Sequence, residues 1–204
     1  MMDRKLTVIL AAGDFPRKGG KAWNLLCNAS RIIACDRAGL AAKALGFKNV
    51  TTVGDGDSGP VDVRVSEQNT NDLEKAYRYA IKHPVAEKEE LVILGATGKR
   101  EDHTLGNIFR ALEWGVMVVS NYGWFYPVVP GPVPSVIATE KGAGVSVFAP
   151  DPATRMESEG LEWPLDKVRF PNLYCATLNR AQGSRITVKT NRKVMVYVAD
   201  AEQS

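Results

Sequence analysis

Histidine and cysteine are scarce in this chain, and neither is arranged for metal chemistry. There are two histidines, His83 and His103, and three cysteines, Cys27, Cys35 and Cys175, with no CxxC spacing. A histidine-rich metal site and a zinc cluster are thereby excluded, and the odd cysteine count reads as reduced thiols in a cytoplasmic protein. An excess of one charge is lacking too: 26 Lys and Arg stand against 23 Asp and Glu, a formal net charge of +3. So small and scattered an excess announces neither a nucleic-acid partner nor a membrane surface. No run approaches the ~18 apolar residues of a membrane helix. The opening MMDRKLTVILAAGDFPRKGG holds only a six-residue apolar stretch, LTVILA, before charge resumes, and does not read as a signal peptide. Internal repeats and low-complexity tracts are absent. What is there is ordinary globular composition: 204 residues, 45% hydrophobic and 24% charged, room for one large domain or two small ones.

Two halves differ in periodicity. Up to about residue 122, short apolar runs alternate with helix-period stretches. LTVIL (6–10), RIIAC (31–35), VTTVG (50–54), LVILG (91–95) and VMVVS (116–120) read as strands, with KAWNLLC a weakly apolar segment between the first two. A helix-like segment follows RIIAC and runs to Leu45, with Gly46 as its stop. The clearest helix places Leu73, Ala76, Tyr77, Ala80 and Ile81 on one face, with Asn71 and Glu74 as a capping pair and Pro84 after its last turn. A further helix from 103 puts Leu105, Ile108, Phe109 and Leu112 on one side. Strands alternating with helices imply parallel crossovers and a sheet covered on both faces. Beyond residue 122 the helix period disappears. YPVVPGPVPSV has four prolines in eleven residues, which no helix interior or central strand tolerates, and GVSVFA, RITVK and VMVYV are short β-branched runs. The expectation is an α/β domain over 1–122, mostly parallel, followed by a small antiparallel β domain over 123–204.

In an open α/β sheet, ligands bind beyond the carboxyl ends of the strands. Those ends are acidic here. RIIAC runs into Asp36, VTTVG into Asp55-Gly56-Asp57, the 71 helix begins with Asp72, and LVILG leads to Lys99, Arg100 and Asp102. Mg²⁺ takes one or two carboxylates plus substrate phosphates, and two carboxylates in one turn repel unless a cation lies between them. Lys99 and Arg100, near a helix start, suit phosphate oxygens. Each feature alone also has a plain structural explanation. Asp and Gly favour turns, Asp72 complements a helix dipole, and Asp102 suits an N-cap. GATGKR lacks the spacing of a Walker loop and DGDSG lacks the later ligands of an EF-hand. It is the coincidence of four acidic loops in one half that points to a magnesium–polyphosphate site.

The series GDGDS (54–58), EQNTNDLEKA (67–76) and GATGKREDHTLGN (95–107) resembles the thiamine pyrophosphokinases, whose usual forms read approximately GDFDS, DQDxTDLEKA and GATGGRxDHxLxN. AAGDFP (11–16) and CDRAG (35–39) are similar to the family's first two strand-loops, and EGLEWPL (159–165) and ATLNRAQGS (176–184) to its C-terminal domain. The resemblance implies a cytoplasmic homodimer with an α/β nucleotide domain and a β-sandwich domain. It would transfer the diphosphate of ATP to thiamine, giving thiamine diphosphate and AMP. By motif position, Asp55, Asp57 and Asp72 would hold Mg²⁺, with Asp36 ordering the metal site or the thiamine hydroxyl. Gln68, Thr70, Lys99, Arg100 and Asp102 would bind nucleotide or phosphate. Trp163 and Asn179 would lie by thiamine, a flat cation suited to stacking on tryptophan; ordinary β-domain core is the other reading of Trp163. The chain departs from the pattern at Arg37, Gly56 and Leu178. These departures leave room for a diphosphokinase acting on another heterocyclic alcohol, such as a pterin, or for a non-catalytic nucleotide or thiamine diphosphate sensor.

Overall fold

The computed structural model describes residues 5–67 and 69–200. The chain divides into two compact units, one of residues up to 107 with 118–121, the other of 108–117 with 122 onward.

The first unit is a parallel sheet with helices. Its elements are β1 (Lys5–Leu10), α1 (Lys21–Asn28), β2 (Arg31–Cys35), α2 (Asp36–Ala44), β3 (Val50–Gly54), β4 (Val63–Arg64), α3 (Asp72–Lys82) and β5 (Glu89–Leu94). The start of α4 (Glu101–Trp114) and most of β6 (Met117–Val119) complete it. Strand order is β6-β5-β1-β2-β3-β4, and β1 pairs in parallel with both β5 and β2. Val8, Ile9, Leu10, Ile32, Ile33, Val92, Ile93 and Leu94 are wholly buried. Such continuous apolar runs are what a sheet covered on both faces requires. At roughly 1.5–3 kcal/mol for each buried aliphatic side chain, they form the centre of this unit's stability.

Because β1, β2, β3 and β5 are parallel neighbours, the segments after Leu10, Cys35, Gly54 and Leu94 all emerge on one rim. No loop separates β2 from α2: Cys35 caps the helix and Asp36 is its first residue. Asn71 caps α3 as its sequence suggests, its side chain accepting the Glu74 N–H at 2.9 Å.

Three details differ from the sequence reading. KAWNLLC is a true helix, α1, burying Ala22 and Leu26. On α3, Leu73, Ala76 and Ala80 are buried as expected, but Ile81 is exposed and Lys75 is buried instead. α4 starts two residues early, at Glu101, and exposes Leu105 while burying Asn107, Ile108, Ala111 and Leu112. Hydropathy finds the apolar stripe of a helix, but it does not see which polar side chains find partners inside.

The second unit holds β7 (Gly123–Val128), β8 (Ser135–Ala138), β9 (Gly144–Phe148), β10 (Met156–Glu159), β11 (Ala176–Arg180), β12 (Arg185–Thr190) and β13 (Val194–Ala199). Antiparallel pairs order one sheet β11-β9-β13-β7 and the other β10-β12-β8. Val145, Val147, Val194, Val196 and Val198 of the first share one core with Ile137, Met156, Ile186 and Val188 of the second, which makes the unit a β-sandwich. The proline-rich segment is more ordered than its composition suggests. Pro127 pairs with Met195 next to the end of β7, and β8 starts directly after Pro134 at a sheet edge. Strand ends and edges tolerate a missing N–H, which is why four prolines coexist with two strands.

Candidate active site

Asp36 is the centre of the acidic rim. It is only 4% exposed, at the junction of β2 and α2. Its Oδ2 accepts the Gly56 N–H at 3.0 Å, while its Oδ1 is buried without a hydrogen-bond partner among the described residues. The carboxylate lies over Gly54: a Cβ there would stand 1.6 Å from Oδ1, so only glycine leaves room for it. Burial raises the Asp36 pKa; the Gly56 amide opposes this, and the charges of Asp72, Asp55 and Asp57 push it further up.

The loop after β3 brings two more carboxylates to the same place. Gly56, at φ +83°, turns the backbone so that the Asp57 N–H reaches Asp55 Oδ1 at 3.2 Å. The sequence departs from the family's aromatic at this position, and the left-handed backbone accounts for glycine there. Oxygens of Asp36, Asp55 and Asp57 all lie within 4.8 Å of one another. Three hard oxygen donors around one point, one of them with an unpartnered buried oxygen, fit a divalent cation such as Mg²⁺.

Asp72, expected among the metal ligands, stands at the first turn of α3 with its Oδ1 3.0 Å from Lys75 Nζ. The same ammonium lies 3.3 Å from Asp55 Oδ2. The Asp57 N–H and then Lys75 hold the Asp55 carboxyl below its usual pKa. Burial pulls the Lys75 pKa down, but the hydrogen bonds and charges of Asp72 and Asp55 prevail and leave it raised. Sequence reasoning missed Lys75, because a helical lysine reads as a solvent-facing residue. The Cys35 thiol, beside Asp36, is pushed up by burial first and then by the Asp72 and Asp36 charges, so it stays protonated.

On the neighbouring strands β1 and β5, the following loops are locked together. Gly13 N–H donates to Gly95 O at 2.7 Å and Asp14 N–H to Thr97 O at 2.8 Å. Buried Asn107 holds the same loop by donating to Ala96 O at 2.9 Å. Lys99 adopts φ +59° and its ammonium donates to Ala12 O at 2.9 Å. Arg100 pairs with Asp102 at 2.5 Å, both side chains well exposed. That hydrogen bond, followed by the His103 N–H, lowers the Asp102 carboxyl to about 2. Because α4 begins at Glu101, Asp102 lies inside its first turn rather than before it. Thr70 is half-buried, its hydroxyl unpartnered among the described residues. Gln68 lies outside the described residues.

In the second unit Trp163 is 54% exposed, which sets aside the reading of it as β-domain core. Buried Asn179 holds it by the backbone: Oδ1 accepts the Trp163 N–H at 3.2 Å and Nδ2 donates to Trp163 O at 2.7 Å. Next to Asn179, Leu178 sits in a bulge of β11 at φ +63° with 85% of its surface exposed. Tyr174 is exposed as well. Trp163, Tyr174 and Leu178 are thus exposed apolar side chains of this unit, and the backbone of Trp163 is fixed by Asn179.

Comparison with known proteins matches both units. A family model described as thiamin pyrophosphokinase, catalytic domain, covers residues 22–118. A second, described as thiamin pyrophosphokinase, substrate-binding domain, covers residues 123–197. No curated protein matches the chain significantly. Among solved structures, thiamin pyrophosphokinase from Geobacillus thermodenitrificans is 21% identical, with a TM-score of 0.76 over 98% of this chain and 99% of that one. The Bacillus subtilis enzyme is 19% identical, with a TM-score of 0.72 over 95% and 98%. The Candida albicans enzyme is 12% identical, with a TM-score of 0.74 over 96% and 89%. At these identities the structural likeness speaks for the fold, and the two domain families, matched in order along most of the sequence, speak for descent: the chain belongs to the thiamin pyrophosphokinase family.

Proposed function

We propose that the acidic rim holds Mg²⁺ on ATP for the reaction of this family. The chain transfers the diphosphate of ATP to thiamine, giving thiamine diphosphate and AMP. The observation that carries the metal reading is the convergence of Asp36, Asp55 and Asp57 beside an orphaned buried carboxylate oxygen. Mg²⁺, when bound, would neutralise phosphate oxygens and fix their orientation.

The protein's part is positioning and charge. Asp55 and Asp57 would hold the cation from a loop and Asp36 from the strand–helix junction, with Asp72 supporting the set from α3. Lys99 and Arg100 face the phosphates, with Thr70 and Gln68 on the nucleotide side. In the second domain Trp163 offers its exposed indole to the thiamine ring, with Asn179 fixing its backbone. Attack of the hydroxyethyl oxygen on the β-phosphorus needs in-line placement and a proton acceptor, and a carboxylate of this rim or solvent supplies the latter. The division of labour follows residues 1–122 for nucleotide and metal and 123–204 for thiamine. The working form is a homodimer, consistent with the exposed apolar surface of the second unit.

The test is product analysis after mixing the protein with Mg²⁺, ATP and thiamine. AMP and thiamine diphosphate should appear in equal amounts and only with the metal. ADP with thiamine monophosphate would show single-phosphoryl transfer and overturn the proposed phosphate register. Asp57→Asn and Asp72→Asn should each lose at least a hundredfold in kcat while keeping a native circular dichroism spectrum. Wild-type rates in both would remove the metal assignment.

A further inference from the structure

We propose that Lys75 is a positioning residue that decides which carboxylates of the rim meet the cation. The proposal rests on reading that rim as the Mg²⁺ site. Lys75 lies one turn after Asp72 on α3, and its side chain is only 2% exposed. A buried ammonium is costly unless it is paired, and both of its partners among the described residues belong to the acidic rim: Asp72 Oδ1 at 3.0 Å and Asp55 Oδ2 at 3.3 Å. The two partners come from different elements, one from the helix and one from the loop after β3. Lys75 is therefore a clasp between α3 and the metal loop.

The clasp has two consequences. It engages Asp72 and one oxygen of Asp55, leaving the gathered oxygens of Asp36, Asp55 and Asp57 as the cation's cradle. It also places a fixed positive charge one carboxylate away from the dication. That charge assembles repelling acids before metal arrives, and it weakens the bare site for divalent ions by direct repulsion. A rim of four acids with no internal cation would bind metal more tightly in a less defined geometry. Lys75 gives up metal affinity in return for one defined arrangement.

Lys75→Met keeps the length and apolar stem of the side chain and removes the charge. Mn²⁺ serves as the probe, read by electron paramagnetic resonance and calorimetry without nucleotide. Lys75→Met should bind Mn²⁺ at least tenfold more tightly than the wild type, while kcat falls at least a hundredfold and KM for thiamine stays within twofold. Lys75→Arg, which keeps the charge, should return Mn²⁺ affinity to within threefold of wild type. If Lys75→Met is unstable alone, its melting temperature should rise with Mn²⁺ by more than the wild type's does, as tighter binding to the folded state demands. A merely structural lysine would give Mn²⁺ binding that is unchanged or weaker in Lys75→Met, and that outcome overturns the proposal. Failure of the wild type itself to bind Mn²⁺ would instead overturn the metal reading, and the proposal with it.

Discussion

A methyl group on Gly54 would stand 1.6 Å from Asp36 Oδ1, well inside any permitted contact. Gly54→Ala must therefore displace a carboxylate that is only 4% exposed, on the first residue of α2. The expected result is a loss of about 1–3 kcal/mol in denaturant unfolding, as for other overpacked sites, together with at least a tenfold fall in Mg²⁺-dependent turnover. Unaltered turnover would show that the position of Asp36 does not matter to the reaction. Leu178 presents the opposite case. It holds a left-handed backbone that costs an L-residue roughly 1–2 kcal/mol, with a side chain exposed to solvent. Leu178→Asn should raise stability by about 0.5–1 kcal/mol, since asparagine tolerates that conformation and little packing is lost. KM for thiamine measured on the same variant tests whether the exposed leucine has a role that offsets its backbone strain.

Among the elements, α3 was the most legible. Its cap, its first-turn acid and three of its buried positions follow from residues 71–80 read in order. What could not be read was the exchange of Ile81 for Lys75 inside the fold, because one of the two partners that make this lysine buriable, Asp55, sits twenty positions earlier in sequence. Strands β4, β10 and β11 escaped for a related reason: they are short and polar, and they exist by pairing with neighbours rather than by their own pattern. The loop between β3 and β4 shows how such a segment is anchored. Asp62 Oδ2 accepts the Lys43 ammonium at 2.7 Å, the Thr52 N–H at 2.8 Å and the Thr52 hydroxyl at 2.9 Å. These partners, Lys43 first, lower its carboxyl to about 2 from an ordinary 3.8. A depressed carboxyl stabilises the fold above its unfolded value and loses that contribution as pH falls through its folded value. Solvent screens contacts of so exposed a side chain, so Asp62→Ala should be less stable than wild type by about 0.5–1 kcal/mol near neutrality, with the gap narrowing between pH 4 and pH 2. A gap independent of pH would show that the ion pair adds nothing to the neutral contacts.

For the whole molecule, the change of periodicity near residue 122 was visible because parallel crossovers and antiparallel hairpins leave different marks on a sequence. The acidic rim was visible too, since strand-end positions can be counted along the chain. The lattice of contacts that orders it was not: the orphaned oxygen of Asp36, the bare Gly54 and the clasp of Lys75 depend on neighbours distant in sequence. No helix among the described residues is long and apolar enough to cross a membrane. Sedimentation analysis at micromolar concentration should find a species of two chains, and Trp163→Ala should leave that mass unchanged if the indole serves thiamine rather than assembly. A monomer that turns over at full rate would separate catalysis from dimerisation.

The direct passage from β2 into α2 carries one more consequence. An α-helix turns by about 100° for each residue, so a single amino acid inserted between Cys35 and Asp36 would swing the carboxylate to another side of the helix and into the sheet. In the segment from Gly54 to Asp62, the Asp55–Lys75 and Gly56–Asp36 contacts pin the first part and Asp62 pins the end, so added length fits between Asp57 and Asp62. Over evolutionary time the lineage of this protein is thus free to lengthen the later part of the loop after β3, while the spacing at the β2–α2 junction is frozen to the residue.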